Sequence, residues 1–258
     1  MKLLVGVCAL LALSPGARAE GPAVSELNGK LSVEGGAVGT NELQSALATT
    51  HGSITAPLGH SFGLQVDGSG STAFNSVFGS GGLHLFWRDP AIGLVGAIAA
   101  FGGGAGTRSG LYGGEGELYA GLFTVGVRAG YGDNRTDFSS RNGGFYLGTL
   151  TVYPVPNLAL SVEGGQVSGL TLGQARIEYQ PDLLLAHRNV SFFVSGLAGD
   201  FGVFRATAGV QFYFGPDKSL IRRHREDDPR SFSASPMDTC VSVGGRHISV
   251  GGCGSLPQ

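Results

Sequence analysis

Apolar and polar residues alternate along most of this chain, and the alternation has a period of two. In the segment from Phe123 to Tyr131 (FTVGVRAGY), every second residue is apolar, and the residues between them are Thr, Gly, Arg and Gly. Successive side chains of a β-strand point to opposite faces of a sheet, so this segment has one apolar face and one small or polar face. Similar alternation recurs at 31–37, 62–67, 158–163, 175–179 and 204–214. The pattern therefore predicts an all-β fold.

The alternating segments divide into about twelve strands separated by turn residues. They are predicted at 29–38, 46–57, 62–70, 76–88, 93–101, 111–120, 123–132, 145–154, 158–166, 171–180, 190–198 and 203–214. Connections after even-numbered strands are mostly short, whereas most of those after odd-numbered strands are longer and rich in Gly, Ser and Asn, such as Gly102–Gly110 and Asp133–Gly144. The Gln180–Asn189 connection is the exception. Short turns at one rim and long loops at the other are typical of a transmembrane β-barrel whose chain ends both lie at the periplasmic rim.

Composition favours such a barrel over other classes of protein. The 258 residues include 46 Gly, and only 14% are charged, against about 25% in ordinary soluble domains. The best internal apolar run, Ile92–Phe101, is too short for a membrane-spanning helix, and so much Gly disfavours helices in general. The formal net charge of −2 does not favour nucleic-acid binding. Because an open sheet edge cannot face hydrocarbon, we predict a closed antiparallel transmembrane β-barrel in the cell outer membrane.

Aromatic residues fall near both ends of the predicted strands. Phe62, Trp87, Phe123, Tyr153, Tyr179 and Phe212 lie near the predicted periplasmic rim, and Phe78, Phe101, Tyr112, Tyr131, Tyr146 and Phe204 lie near the predicted outer rim. Outer-membrane barrels carry two girdles of aromatic side chains where their lipid-facing surface meets water. We therefore expect the apolar face to contact lipid and the Gly-rich face to line the lumen.

The N-terminus predicts export from the cytoplasm. Met1–Ala19 has a cation at Lys2, an apolar core over Leu3–Leu13 and a final Ala-Arg-Ala. This arrangement is typical of a secretory signal peptide cleaved after Ala19. The barrel is then predicted over residues 20–215.

The sequence changes character after Gly215, and residues 216–258 are predicted to form a periplasmic tail. Its charged run, SLIRRHREDDPR at 219–230, is interpreted as a solvated segment whose charges neutralise one another. The alternatives are contact with anionic headgroups or peptidoglycan, or folding back to plug the barrel. Once the signal peptide is removed, Cys240 and Cys253 are the remaining cysteines. An even number in an exported chain predicts a disulfide, here one that closes a small hairpin.

The signal peptide, the alternating strands and a last strand ending in QFYF (211–214) together resemble Gram-negative outer-membrane β-barrels. The segments 81–90 (GGLHLFWRDP) and 212–229 are similar to an uncharacterised, porin-like group of proteobacterial barrels. The resemblance implies outer-membrane lipid and lipopolysaccharide as the surroundings of the protein. It also implies the barrel-assembly machinery as a partner, since the aromatic Phe214 resembles the end of its recognition signal.

The alternation also predicts which charged side chains line the lumen. They are Glu34, Asp67, His84, Glu115, Glu117, Arg128, Glu163, Arg176, Glu178 and Arg205. One interpretation is a polar interior whose charges pair across strands, with Glu115 and Glu117 pairing with Arg128 as an example. The other is a narrow, weakly cation-selective pore, since acidic residues outnumber arginines. We predict a structural or porin-like passive channel for small solutes and ions.

A lipid-modifying hydrolase of the phospholipase or lipid A deacylase type is the alternative function. Such enzymes need a Ser hydroxyl within hydrogen-bond reach of a base. The candidate bases are His51, His60, His84 and His187. Ser80 shares a strand face with His84 but lies about 13 Å away along it. The Glu115/Glu117 pair has the residue types of a glycosidase dyad, yet carboxylates two apart on a strand more often line a lumen. We expect no catalytic site, no cofactor and no metal.

Overall fold

The computed structural model describes residues 21–104, 106–136, 140–181, 189–229, 239–243 and 246–250. The predicted signal peptide at Met1–Ala19, the candidate base His187 and the residue Cys253 lie outside the described residues. The predicted disulfide between Cys240 and Cys253 therefore stays a prediction.

Twelve antiparallel strands form a closed barrel in which each strand pairs with its neighbours in the sequence. The strands are β1 (Asn28–Gly39), β2 (Gln44–Leu58), β3 (Phe62–Ala73), β4 (Ser76–Asp89), β5 (Gly93–Gly104), β6 (Thr107–Ala120), β7 (Phe123–Thr136), β8 (Ser140–Val155), β9 (Leu158–Val167), β10 (Leu170–Tyr179), β11 (Val190–Gly199) and β12 (Phe204–Phe214). Pairing of β1 with β12 closes the ring. The predicted fold is confirmed, and every predicted strand corresponds to an observed one.

The remaining elements are short. A 3₁₀ turn covers Asp200–Gly202, helix α1 covers Leu220–Glu226, and a separate hairpin pairs β13 (Thr239–Val243) with β14 (Arg246–Val250). Among the described residues, no helix is long and apolar enough to cross a membrane.

The alternation decides which side chains face inward. On β7, Val125 and Val127 are exposed on the outer face, whereas Thr124 and Arg128 are buried inside the barrel. The other strands follow the same rule, and large apolar side chains are exposed around the whole outer wall. Such a surface would be unfavourable in water, and it matches the apolar band by which a barrel contacts lipid.

The two rims of the barrel differ in the chain ends and strand connections that lie there. We call the rim with both chain ends and the turns after even-numbered strands the terminal rim, and the opposite one the distal rim. The predicted long loops at Gly102–Gly110 and Asp133–Gly144 are wrong, because the strands continue almost to the distal turns. Backbone pairing needs no particular side chain, so Gly, Ser and Asn runs that resemble loops in the sequence extend the sheet instead. The longest strand connection, from Gln180 to Asn189, lies at the terminal rim.

The aromatic girdles are confirmed with two corrections. Phe62, Phe123, Tyr179 and Phe212 are exposed at the terminal rim, and Phe101, Tyr112, Tyr131 and Tyr146 are exposed toward the distal rim. Tyr153 and Phe78 were also expected to face lipid, but they are 1% and 3% exposed and point into the barrel. Both occupy strand positions whose side chains alternate with the lipid-facing ones. This alternation, rather than closeness to a rim, decides whether a side chain points inward.

Candidate functional site

The lumen is the candidate site, and the structure places all ten predicted lining side chains on its inner wall. Glu34, Asp67, His84, Glu115, Arg128, Glu178 and Arg205 are buried, and Glu117, Glu163 and Arg176 are half-buried. They do not form rings of like charge. They form separate groups, each of which joins acids to a cation, an imidazole or a hydroxyl.

His84 is the centre of the most buried group. Its Nε2 lies 2.8 Å from Asp67 Oδ2 and its Nδ1 lies 2.9 Å from Glu115 Oε1. Gln65 donates to the other carboxylate oxygen of Asp67 at 2.8 Å. The His84 and Asp67 side chains have no exposed surface. Both ring nitrogens are therefore engaged by carboxylates, which fixes the imidazole between β3 and β6.

Two salt bridges hold the wall between β7 and β10. Arg128 reaches across β8 to Glu163, whose carboxylate also accepts a hydrogen bond from Thr149 at 2.9 Å. Arg176 pairs with Glu178 at 3.0 Å. Glu115 faces Arg128 on the next strand, and both Glu115 and Glu117 attract Arg128 electrostatically, which agrees with the predicted pairing. The Glu115 carboxylate also contacts His84, as described above. Because the barrel wall is curved, inward side chains can meet partners two strands away as well as on the next strand.

Glu34 lies beside the seam between β1 and β12. One of its oxygens is 3.2 Å from His51 Nε2, and the other accepts a hydrogen bond from Thr207 at 2.9 Å. Arg205 lies close enough to attract this carboxylate electrostatically. Across the lumen, Glu117 accepts a hydrogen bond from the Tyr119 hydroxyl at 3.1 Å.

Apolar side chains close the lumen toward the distal rim, and we call this cluster the distal apolar layer. Its members are Val38, Leu47, Ala73, Ile98, Leu111, Phe145, Leu147, Val167, Leu172, Leu197 and Val203. They come from nine strands and one turn, and each is at most 6% exposed. The alternation of the strands does not predict this layer. Its signal is that alternation fails near the distal strand ends, as in Phe145-Tyr146-Leu147, where inward positions are apolar too.

Two chain segments close the opposite end, and we call residues 21–27 and 216–229 together the terminal plug. Leu220 of α1 is fully buried and packs against Tyr153, Ala159 and Tyr213. From the N-terminal segment, Val24 packs against Phe86 within a second buried cluster. The plug therefore adds apolar surface to the mouth of the barrel as well as covering it.

The plug reaches opposite sides of the ring. Lys30 on β1 forms a salt bridge with Asp228, and Gln65 on β3 donates to the carbonyl oxygen of Pro229 at 3.4 Å. On the far side, the hydroxyl of Tyr153 on β8 is 3.0 Å from His224 Nδ1, and Arg225 donates to the Phe123 carbonyl oxygen at 2.8 Å. Helix α1 and the residues that follow it thus contact β1, β3, β7 and β8. The seven-residue helix therefore lies across the opening.

Ser25 joins the two parts of the plug, because it contacts both members of a buried ion pair in the C-terminal part. Lys218 bonds to Asp227, and Ser25 Oγ contacts both, at 2.7 Å from each. Arg223 of α1 donates to Asn189 Oδ1 at 2.9 Å and lies 4.6 Å above the Tyr213 ring. The interpretation of 219–230 as solvated is thus wrong for its described part, since Arg223, Asp227 and Asp228 are at most 4% exposed. Each of these charges has a partner distant in sequence.

Burial changes the acid–base properties of the plug. It raises the pKa of Asp227 despite the neighbouring Lys218, and it lowers the pKa of Arg223. Burial also acts to raise the pKa of Glu226, but hydrogen bonds from Arg222 and Lys218 outweigh it and hold that pKa below its ordinary value. The pKa values of the adjacent carboxyl groups of Glu226 and Asp227 are therefore shifted in opposite directions.

A polar cavity of about 120 Å³ remains inside the barrel beside the plug. Its wall is built from β6–β12 and β1–β2, with Arg176, Arg205 and Glu34 among its charged residues. His224, Asp228 and Pro229 of the plug form part of its boundary. Since one water molecule needs about 10–15 Å³ of such space, the cavity has room for several waters or a small solute.

The architecture is that of a transmembrane β-barrel with a polar lumen blocked at both ends. Among solved structures, it is similar to the KdgM porin, with a TM-score of 0.52 at 13% identity over 71% of this chain and 98% of the porin. The NanC porin gives 0.51 at 10% identity, over 72% of this chain and 100% of that one. The outer membrane phospholipase dimer of Salmonella typhi with bound calcium gives 0.50 at 12% identity, over 79% and 95%.

No family model matches this sequence, and no curated protein matches it. The structural likeness therefore establishes the fold alone, which is that of outer-membrane β-barrels. The predicted location in the outer membrane agrees with this fold and with the exposed apolar outer wall.

Proposed function

We propose that this protein is an outer-membrane channel for small polar solutes and ions, and that the conformation described here is its closed state. The observation that carries the proposal is the polar cavity that is left inside the barrel beside the terminal plug. A purely structural barrel could fill its interior with side chains, as the distal layer does. Here a space that is lined by charged residues and has room for several waters is kept open inside the barrel.

Release of the terminal plug is the first step required for conduction. The plug is an appended segment held by ion pairs, hydrogen bonds and a few apolar contacts, so it can leave without unpairing any strand. The distal apolar layer is the second barrier. Apolar constrictions in channels conduct once they become wet, so its side chains need to rearrange only slightly.

Planar-bilayer conductance of three refolded chains tests the proposal. They are the full mature chain, a chain ending at Pro229 that keeps the plug, and a chain ending at Gly215 that keeps residues 21–27 but lacks the 216–229 part of the plug. We expect the first two to conduct alike. A closed state favoured by a few kcal/mol leaves at most about a tenth of molecules open, so we expect the third to open at least about tenfold more often.

A fourth chain separates the two barriers. Leu111→Ser in the chain ending at Gly215 places a hydroxyl in the distal apolar layer and should raise conductance further. If this variant is folded and still forms no channels, the channel function is wrong. If the chain ending at Pro229 conducts as freely as the one ending at Gly215, the plug is not the barrier.

The hydrolase alternative receives little support from the site. A catalytic base needs a ring nitrogen available to a serine, but both nitrogens of His84 contact carboxylates, and Ser80 Oγ is 2.6 Å from Ser69 Oγ. The likeness to a phospholipase concerns the barrel fold. Phospholipid hydrolysis by the refolded protein that His84→Ala abolishes would nevertheless replace the channel with an enzyme.

A further inference from the structure

Arg205 is a buried cation that the lumen does not neutralise directly. It is 7% exposed and lines the polar cavity. Within the described part of the chain its guanidinium makes no hydrogen bond and no salt bridge, although an arginine carries five N–H donors. The nearby Glu34 carboxylate is held by His51 and Thr207 instead.

Gln174 supplies an unused acceptor at the same level of the barrel. Its Oε1 is buried and has no hydrogen-bond partner, and the residue lines the same cavity. Arg205 on β12 faces Leu197 on β11, and Leu197 faces Gln174 on β10. The two backbones are therefore two strand spacings apart, about 10 Å. Both side chains line the same cavity.

The lysine and the other arginine that line this cavity are already paired. Arg176, which also lines the cavity, forms its salt bridge with Glu178 and lies 3.6 Å above the Phe193 ring. Lys30 pairs with Asp228. Buried polar groups in native proteins are normally hydrogen-bonded, so an unused donor set and an unused acceptor in one cavity indicate a missing partner. That partner must accept from a guanidinium and donate to an amide oxygen.

We propose that the cavity binds a small organic anion that carries a hydroxyl group. Its carboxylate accepts two hydrogen bonds from Arg205, the pairing for which a guanidinium is best suited. Its hydroxyl donates to Gln174 Oε1. This inference deepens the channel function, since it names the solute class, and it rests on that function only for the solute being transported.

The inference differs from what the acid count of the lumen predicts. Acidic residues outnumber arginines there, which favours cations. The acids, however, are engaged by His84, Arg128, Arg176 and other partners. Among the described lysine and arginines that line the cavity, Arg205 is the one without a salt bridge. Solute preference in this lumen follows from which charge is available rather than from which is more numerous.

Lactate and propionate are the matched probes, because they share a carboxylate and a three-carbon skeleton and differ by one hydroxyl. The full mature chain is refolded in detergent in the presence of each labelled anion, so that the cavity closes around it, and bound anion is measured by equilibrium dialysis. A hydrogen bond between neutral groups contributes about 0.5–1.5 kcal/mol, so we expect lactate to bind about three- to tenfold more tightly than propionate.

Four variants assign the contacts. Arg205→Gln should weaken binding of both anions by about tenfold or more, since it removes a charge-assisted pair. Arg205→Lys should restore part of the affinity, because it keeps the charge but loses the forked geometry. Gln174→Met should leave propionate unchanged and remove the preference for lactate. Arg108→Gln, at an exposed position on β6, is the matched control and should change neither.

Two results would overturn the inference. If the folded wild-type chain binds neither anion, water alone occupies the cavity. If Arg205→Gln binds both anions as the wild type does, any binding lies elsewhere. The conductance experiment is separate from this one: anion binding without channels would refute the channel function and keep the site, whereas channels without anion binding would do the reverse.

Discussion

The two ends of the lumen are closed by different kinds of structure. The distal apolar layer is made of strand side chains such as Phe145, Leu147 and Ile98, which cannot leave without distorting the barrel. The terminal plug is made of separate chain segments, and buried charges such as Lys218 and Asp227 hold it in place. The distal closure therefore shares the stability of the whole barrel, whereas the terminal closure has a smaller stability of its own. We therefore expect gating at the terminal end, because its closure can open locally without unfolding of the barrel.

The largest effect should come from a cavity in the distal apolar layer. Phe145 is 2% exposed, so Phe145→Ala is expected to lower the free energy of unfolding of the barrel by about 3–5 kcal/mol. Urea unfolding followed by fluorescence of Trp87, the single Trp of the chain, measures it. Tryptic cleavage of the plug at its arginines should be unchanged. Accelerated cleavage would mean that the two closures are coupled.

Removing the Lys218 cation from the terminal plug should have the opposite effect: cleavage of the plug changes and unfolding of the barrel does not. Lys218→Met leaves Asp227 buried without its salt bridge, which costs about 3 kcal/mol or more. Tryptic cleavage of α1 in the folded barrel should become about 100-fold faster or more, while the urea midpoint of the barrel stays the same. The matched control is Arg222→Ala, because Arg222 forms an exposed i,i+4 pair with Glu226. It should accelerate cleavage little, since exposed pairs contribute less than about 1 kcal/mol.

The smallest effect is a dependence of the plug on pH. The lowered pKa of Glu226 strengthens docking at neutral pH, and this contribution is lost as the pH falls through that pKa. The raised pKa of Asp227 has the opposite sign: docking is strongest when this group is protonated, and it weakens as the pH rises through the raised value. In the wild type the two contributions oppose each other.

Glu226→Gln isolates the Asp227 contribution. In this variant, papain cleavage of the plug, normalised at each pH to cleavage of a free peptide of residues 216–229, should slow a few-fold between about pH 6 and pH 4. Asp227→Asn in the same background should abolish the slowing. A slope that survives in the double variant would assign the pH dependence to another group.

The sequence was sufficient for the barrel because period-two alternation is a local property that each strand carries by itself. It was also sufficient for the inward direction of residues such as Glu34 and Arg205. The partners of these residues were not predictable, since they depend on barrel curvature and register: Arg128 meets Glu163 across β8. Loop lengths at the distal rim were wrong, because Gly-rich strand ends have the composition of loops.

For residues 219–230, the sequence favoured a solvated segment and gave a plug of the barrel only as an alternative. A short run of mixed charges is usually solvated, and nothing local in 219–230 distinguishes it from such a run. Its burial depends on contacts between residues nearly 200 positions apart, such as Lys30 with Asp228. Only a closed ring brings those residues together.

The position of the plug also has a mechanical consequence. The seam between β1 and β12 joins the two ends of the strand order, and Lys30 faces Tyr213 across it. Lys30 forms a salt bridge with Asp228, and Tyr213 lies beneath Arg223, so the plug contacts both sides of the seam. Separation of β1 from β12 must break these contacts first. The plug in turn can dock only on a finished ring, so its docking marks the completion of assembly and slows the reverse process.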